Sequence, residues 1–346
     1  MTRFFNYQFC AIISLTLVSP PASADHPSVA FGSNTSGPIN TLSAAPMPAG
    51  MWAGSVRTEI IDFDSFSNAQ LEGFAEQGLD GVHSVDRLTK TSTAIAYGLT
   101  ENLSLSLQLP YIERRSVVAA ELEDGEPEAH GHGDSADLGD VTLLAQQRIF
   151  ANHNTDISLL FGIKAPTGKT DLKDDGGERF ETEFQPGSGS WDFLTGAAVS
   201  KNLQGISVHA NILYNATGGG AQSAETGNAL FYNAALSYRL GNQLDDKQDH
   251  SNHHDHQHAS HSDSQSQSAN WDLLLEINGE TRNKDKVAGV SDSHSGGTTV
   301  YLSPGLRLSL GKLSGYLSYG IPILENQQGE QADVDYKLIA GFSVGF

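Results

Sequence analysis

Val334-Asp335-Tyr336-Lys337-Leu338-Ile339-Ala340-Gly341-Phe342-Ser343-Val344-Gly345-Phe346 closes the chain in near-strict alternation. Successive side chains of a strand point to opposite faces. One face therefore carries Val334, Tyr336, Leu338, Ala340, Phe342, Val344 and Phe346, and the other Asp335, Lys337, Ile339, Gly341, Ser343 and Gly345. An apolar face opposite a small, polar one is the pattern of a strand standing between lipid and a wet lumen. A terminal strand ending in Phe is also what the barrel assembly machinery of a bacterial outer membrane is expected to read, so Phe346 bears on destination and partner as well as on fold.

The same period of two recurs upstream in about twelve segments, each near the ~9 to 11 residues that a tilted strand needs to cross a bilayer. They are expected at 50–63, 86–99, 102–113, 138–150, 156–166, 190–200, 206–215, 228–240, 270–281, 298–310, 313–323 and 334–346. Short links at 98–102, 151–155, 201–205 and 311–312 alternate with long polar loops at 64–81, 114–137, 167–189, 216–227, 283–297 and 324–333. Short periplasmic turns, long extracellular loops and an even strand number define an antiparallel up-and-down transmembrane β-barrel, an all-β fold with both termini on the periplasmic side. Trp52, Tyr97 and Trp271 fall at one set of strand ends and Tyr111, Trp191, Tyr214 and Tyr336 at the other, as two interfacial girdles require.

The amino-terminal residues are expected to direct export. Arg3 precedes an apolar stretch from Phe9 to Val18, then Pro20-Pro21 and Ala22-Ser23-Ala24, which reads as a signal peptide over 1–24. That stretch is about half of the roughly 20 residues a spanning helix needs. Residues 25–49 are expected to form a periplasmic segment and 50–346 the barrel in the outer membrane of a Gram-negative bacterium, with outer-membrane lipid as its surroundings. Cys10 lies inside the expected signal, so no disulfide is expected in the exported chain. With Lys+Arg 20 against Asp+Glu 41, the net charge of −21 argues against nucleic acid, which demands clustered cations. A hydrophobic content of 38% is too low for a helical membrane protein, but suits strands that are half polar.

Several motifs resemble one family. Tyr97-Gly98-Leu99-Thr100-Glu101-Asn102-Leu103 followed by Leu109-Pro110-Tyr111, then Asp137-Leu138-Gly139-Asp140-Val141, Lys164-Ala165-Pro166-Thr167-Gly168 and Gly187-Ser188-Gly189-Ser190-Trp191-Asp192 resemble the outer-membrane family named for the meta-cleavage pathway of phenol degradation. The resemblance runs from about Met51 to Phe346. It implies a barrel that passes small, often aromatic or hydrophobic, molecules, and it brings no catalytic residue with it. The chain departs from that pattern in two insertions, Glu121 to Asp137 and Gly241 to Ala269.

Taking each polar face as luminal makes Arg57, Glu59, Lys90, Asp140, Arg148, Lys164, Asp192, His209, Arg239, Asp272, Glu276, Arg307, Asp335 and Lys337 the expected lumen lining. Both signs are present, and a mixed lining can pair across a narrow barrel. The segment between the eighth and ninth strands, 241–269, carries His250, His253, His254, His256, His258 and His261 among Ser, Asn, Asp and Gln. Imidazoles at this density suit weak, multi-ion capture of zinc, nickel or copper, while the same composition equally suits a solvated low-complexity linker. The strand count puts this segment on the periplasmic side. By the same count the acidic insertion with His130, His132, Asp134 and Asp137 is extracellular and could gather divalent cations.

No required cofactor and no enzymatic activity are expected: the chain has no His-Glu-x-x-His and no phosphate loop, and its one Gly-x-Ser-x-Gly match, Gly341 to Gly345, lies inside the alternating terminal strand and not at a strand-to-helix elbow. A barrel phospholipase would place Ser and His together on the lipid-facing rim, whereas His209 points inward beside Ser207 and Asn211. The reading is an outer-membrane channel or transporter for passive passage of a small-molecule solute. The alternative is a metal-linked barrel whose histidine-rich loop captures or senses transition-metal ions, and a closed structural or adhesive barrel is a third class.

Overall fold

The computed structural model describes residues 37–79, 81–203, 205–240 and 269–346. The signal expected over 1–24 and the histidine-rich segment lie outside the described residues.

The elements in chain order are β1 (Trp52–Asp64), α1 (Asn68–Glu76), β2 (His83–Ser84), β3 (Arg87–Thr100), β4 (Leu103–Glu123), β5 (Glu126–Leu138), β6 (Val141–Ala151), β7 (Thr155–Ala165), β8 (Asp192–Leu203) and β9 (Ile206–Ala216). They continue with β10 (Ala224–Glu225), β11 (Ala229–Leu240), β12 (Ala269–Arg282), β13 (Lys286–Val287), β14 (Val290–Ser291), β15 (Gly297–Leu310), β16 (Leu313–Gln327) and β17 (Asp333–Gly345). All the long strands share one antiparallel sheet that closes when β1 pairs with β17 and β4 with β6. The result is a closed barrel of twelve strands. β5 and β6 follow one another along a single wall position, pairing with the upper and lower halves of β4. Closure is completed at the chain end by reciprocal backbone bonds between Trp52 and Phe346, both 2.9 Å.

Outward positions are apolar and open, among them Leu107, Phe161, Ile212, Leu275 and Phe342. Trp52, Tyr97 and Trp271 mark the short-turn end and Tyr111, Trp191 and Tyr214 the long-loop end, as the girdle argument requires. Trp52 and Tyr97 pack ring on ring at 4.4 Å.

Three expectations are corrected. The stretch 114–137 is a β-hairpin, not a polar loop: β4 runs on to Glu123 and returns as β5 through Asp124-Gly125, with φ of 51° and 88°. Positive φ at both central residues is the turn geometry that fits the twist of two antiparallel strands. The arm is braced by α1, which contacts both its strands, and by Val117, 1% exposed.

The second correction concerns Asp335, which faces outward. Pairing of β1 with β17 slips between Asp62 and Phe63, so Tyr336 sits opposite Asp62 and Val334 opposite Phe63. One extra residue in a strand flips everything beyond it to the other face. Val334 and Lys337 therefore both point inward, and Tyr336 stacks on Tyr319 at 5.6 Å.

The third is the largest. Residues 37–47, assigned by sequence to a periplasmic segment, lie inside the barrel. Ile39, Leu42, Ala44 and Met47 are all at most 3% exposed. Leu42 and Ala44 pack with Leu144, Leu160, Leu194, Leu213 and Phe231 on the inner wall, while Met47 packs on Ala53 and Ala96 near the short-turn end. The chain then crosses Gly98, where an added Cβ would stand 1.9 Å from the Pro48 carbonyl oxygen. Only glycine leaves room for that crossing.

Candidate functional site

The lumen is built in two storeys. In the lower one, the 37–47 segment is held by wall side chains whose charges complete its backbone hydrogen bonds. A buried backbone without secondary structure must find such partners. The Glu276 carboxylate accepts from the N–H groups of Ile39 (2.5 Å), Asn40 (3.0 Å) and Thr41 (2.8 Å), and from the Thr41 hydroxyl (2.8 Å). Arg57 donates to the Ile39 carbonyl (2.8 Å) and the Asn40 side-chain oxygen (2.6 Å), and Arg307 to the Pro38 carbonyl (2.9 Å). Asn211 accepts from Leu42 N–H, and Ser158 donates to the Ala44 carbonyl. Glu59 links Arg57 (3.3 Å) to Lys337 (3.6 Å), and Lys337 lies over the Tyr301 ring at 3.9 Å. Lys90 stands directly opposite Glu59 in the β1–β3 register.

His209 bonds the Ser200 hydroxyl at 2.8 Å, and that hydroxyl accepts from Ala44 N–H, also at 2.8 Å. The pair faces the lumen, not lipid, and its serine is occupied in holding the segment. Arg239–Asp272 (2.9 Å) and Arg148–Asp156 (3.2 Å) pair near the short-turn end.

The upper storey is a cavity of about 360 Å³ between this segment and the long loops. Here the sequence motifs meet. Asp140 accepts from Gly168 N–H (2.9 Å), Ser188 N–H (2.9 Å) and the Ser188 hydroxyl (2.7 Å). Lys164 sits between Asp192 (2.7 Å) and Asp140 (3.5 Å). Ser190 donates to Asp192 at 2.6 Å. A Cβ on Gly168 would lie 2.7 Å from the backbone of both Gly139 and Gly187, so the glycines of three separate motifs are there to let three backbones touch. Apolar surface adjoins this polar corner: Pro110, Ile112, Leu194 and Phe231 line the same cavity.

Of the expected lining residues all but Asp335 face inward or pair at a lumen mouth. Sequence reasoning missed the inner apolar strip and the lumen segment itself. A signal for the strip existed. Leu143-Leu144, Leu160-Phe161, Phe193-Leu194, Ile212-Leu213 and Leu230-Phe231 are apolar doublets, and strict alternation would have left one of each pair polar. Leu144, Leu160, Leu194, Leu213 and Phe231 are the inward members.

The histidines at 250, 253, 254, 256, 258 and 261 fall outside the described residues. In the acidic insertion, His130 joins Glu123 and Glu128 at the exposed hairpin tip. His132 instead pairs with Asp174 at 2.9 Å and holds that carboxyl below its usual range. Asp134 caps Ser116 N–H. A further cluster, unanticipated, joins His83 with Glu181 and Glu183 above the barrel. Burial there pulls the imidazole pKa down, but the hydrogen bond to Glu183 and the charges of Glu183 and Glu181 outweigh it and hold it up to about 9.

A closed antiparallel barrel, apolar outside and polar within, with aromatic girdles at both rims, defines a transmembrane β-barrel of the outer-membrane type. The chain matches the family described as putative MetA-pathway of phenol degradation over residues 64–278, and it belongs to that family. Among solved structures it is similar to an outer membrane channel from Pseudomonas putida F1, at 16% identity and a TM-score of 0.59, covering 89% of this chain and 100% of that one. That likeness is one of fold. The KdgM porin (10% identity, 85% of this chain and 99% of that, TM-score 0.38) and a Pseudomonas aeruginosa FadL homologue (8%, 86% and 90%, TM-score 0.38) are more distant. Comparison with curated proteins finds no match.

Proposed function

We propose that this protein is a non-enzymatic outer-membrane channel for passive passage of small solutes that combine an apolar, aromatic body with a polar group. The observation that carries the reading is the mixed lining of the upper cavity. Ile112, Leu194 and Phe231 offer apolar surface, and Lys164, Asp140 and Asp192 offer charges of both signs. Small-molecule sites of this kind pair a mainly apolar wall with a few placed polar groups. Leu42 of the lumen segment packs on Leu194 and Phe231, so the segment that closes the lower lumen also touches the solute-sized space above it.

The test is single-channel recording of the refolded protein with phenol and benzoate added on the loop side. Concentration-dependent block of a small current supports the reading. Absence of any current, both from the whole chain and from a variant lacking residues 37–47, would overturn it.

A further inference from the structure

We propose that His83, Glu181 and Glu183 form a site for a divalent transition-metal ion that staples the loop over the cavity to the extracellular arm of the barrel. The three residues come from two separate pieces of chain. His83 lies in β2, which pairs with Val118 and Ala119 of the β4 arm. Glu181 and Glu183 belong to the short helical turn around Thr182–Phe184 that roofs the cavity.

The turn is fixed independently of the cluster. Phe184 is buried with Val85, Val117 and Phe180, and its ring stands edge-on to His83 at 4.9 Å. Its carbonyl accepts from the Ser135 hydroxyl (2.5 Å) and from Arg114 (3.4 Å). The Gln185 side chain bonds Leu172 N–H, the Leu172 carbonyl and the Phe180 carbonyl. His83 is held by Ser84, whose hydroxyl takes Phe66 N–H at 2.8 Å. His83 and the turn bearing Glu183 are thereby prepositioned, and the Glu181 side chain, 66% exposed, is the arm free to turn onto the ion.

Geometry and charge both suit a cation. One ligand atom from each residue can be chosen so that all lie within 4.8 Å of one another. The closest approaches are 3.5 Å from His83 Nε2 to Glu181 and 3.2 Å from His83 Nδ1 to Glu183. These contacts use opposite edges of one ring. Tetrahedral ligands at ~2.0 to 2.2 Å from zinc stand roughly 3.3 Å apart, so Glu181 must turn to the Nδ1 edge beside Glu183, with the ion replacing the imidazole proton, for all three to share one centre. One imidazole and two carboxylates prefer zinc, nickel or cobalt over calcium or magnesium.

His83 and Glu183 also line a small cavity of about 80 Å³ that adjoins the upper one, where a water could complete the set. That cavity is lined further by Asp285 and Glu330, with Asp292 acting on His83 through space, so the surroundings are acidic. Its one guanidinium, Arg282, is engaged by Glu280 at 2.5 Å.

The test uses the full chain in detergent, titrated with zinc chloride by calorimetry, and crystals soaked in zinc chloride with anomalous scattering recorded at the zinc edge. The expected result is an anomalous peak bounded by His83, Glu181 and Glu183. His83→Ala and Glu183→Gln should each take up one zinc fewer per chain while keeping the heat-modifiable mobility of a folded barrel. No peak at this position, or the same uptake in the parent and both variants, overturns the assignment. Zinc taken up by the histidines of 241–268 persists in both variants and is lost when that segment is removed, so the two sources are distinguishable.

Discussion

Glu276→Gln should loosen the lumen segment without unfolding the barrel. The carboxylate is 1% exposed and accepts four hydrogen bonds from three consecutive residues of the segment. Hydrogen bonds to a charged acceptor contribute about 1.5 to 3 kcal/mol each and are not additive. The amide keeps one acceptor oxygen but turns its N–H groups toward backbone donors, and a net loss of about 3 kcal/mol is a conservative expectation. At 1.4 kcal/mol per tenfold, the equilibrium between seated and released segment moves roughly 150-fold. The wall is untouched, because β12 keeps its pairings with β11 and β15. The assay is maleimide labelling of Ser43→Cys in the folded protein alongside single-channel recording. Labelling should be slow in the parent background and faster by about two orders of magnitude with Glu276→Gln, and the open fraction should rise in step. Equal labelling rates and equal open fractions would refute the view that Glu276 holds the segment.

Further outcomes follow from the same geometry. Ser158→Arg should raise conductance, because Ser158 is fully buried against the Ala44 carbonyl and a longer side chain must displace it; unchanged current would count against the segment's placement. Phe161→Arg, on the lipid face three residues away, should lower the yield of heat-modifiable barrel, since a cation near the bilayer midplane costs about 2 to 4 kcal/mol. Asp174→Asn should make the 167–189 loop more sensitive to protease at neutral pH. The Asp174 carboxyl is held below its ordinary value of 3.8 by its hydrogen bond to His132. Its contribution to stability is therefore present above that value and lost as pH falls through the lowered one. Removing 248–262 should leave the barrel folded and reduce zinc or nickel uptake at pH 7.5, with equal uptake by deletion and parent excluding a metal role for that stretch.

Strand positions were legible because lipid enforces the period of two on every wall segment. Leu103 to Tyr111 and Ile157 to Ile163 announce both faces residue by residue. Legibility failed where another constraint replaced lipid. Beyond Arg114 the hairpin arm leaves the bilayer, so its strand character rests on the Asp124-Gly125 turn and on packing with α1, not on alternation. Asp335 was misassigned because a bulge is a property of the pair β1–β17 and leaves no mark in either strand alone. The lumen segment was the least legible. Gly37-Pro38-Ile39-Asn40-Thr41-Leu42-Ser43-Ala44-Ala45-Pro46-Met47 has no period, and Glu276, Asn211 and Ser200, which complete its hydrogen bonds, lie 156 to 237 positions away. The polar upper site was half legible. Asp140, Lys164 and Asp192 were expected to face the lumen, but only the touching of Gly139, Gly168 and Gly187 shows why their motifs share one corner.

Solute entry into liposomes decides whether the barrel conducts and whether the lumen segment restricts it. Vesicles carrying the whole chain, the Glu276→Gln variant or no protein are challenged with sodium benzenesulfonate, whose strong-acid group leaves no neutral form to cross bare lipid, and swelling is followed by light scattering. Entry above the protein-free rate is expected for the whole chain, with a further increase for Glu276→Gln. Swelling at the protein-free rate in both protein preparations, with the barrel shown to be folded by its heat-modifiable mobility, would contradict the channel reading.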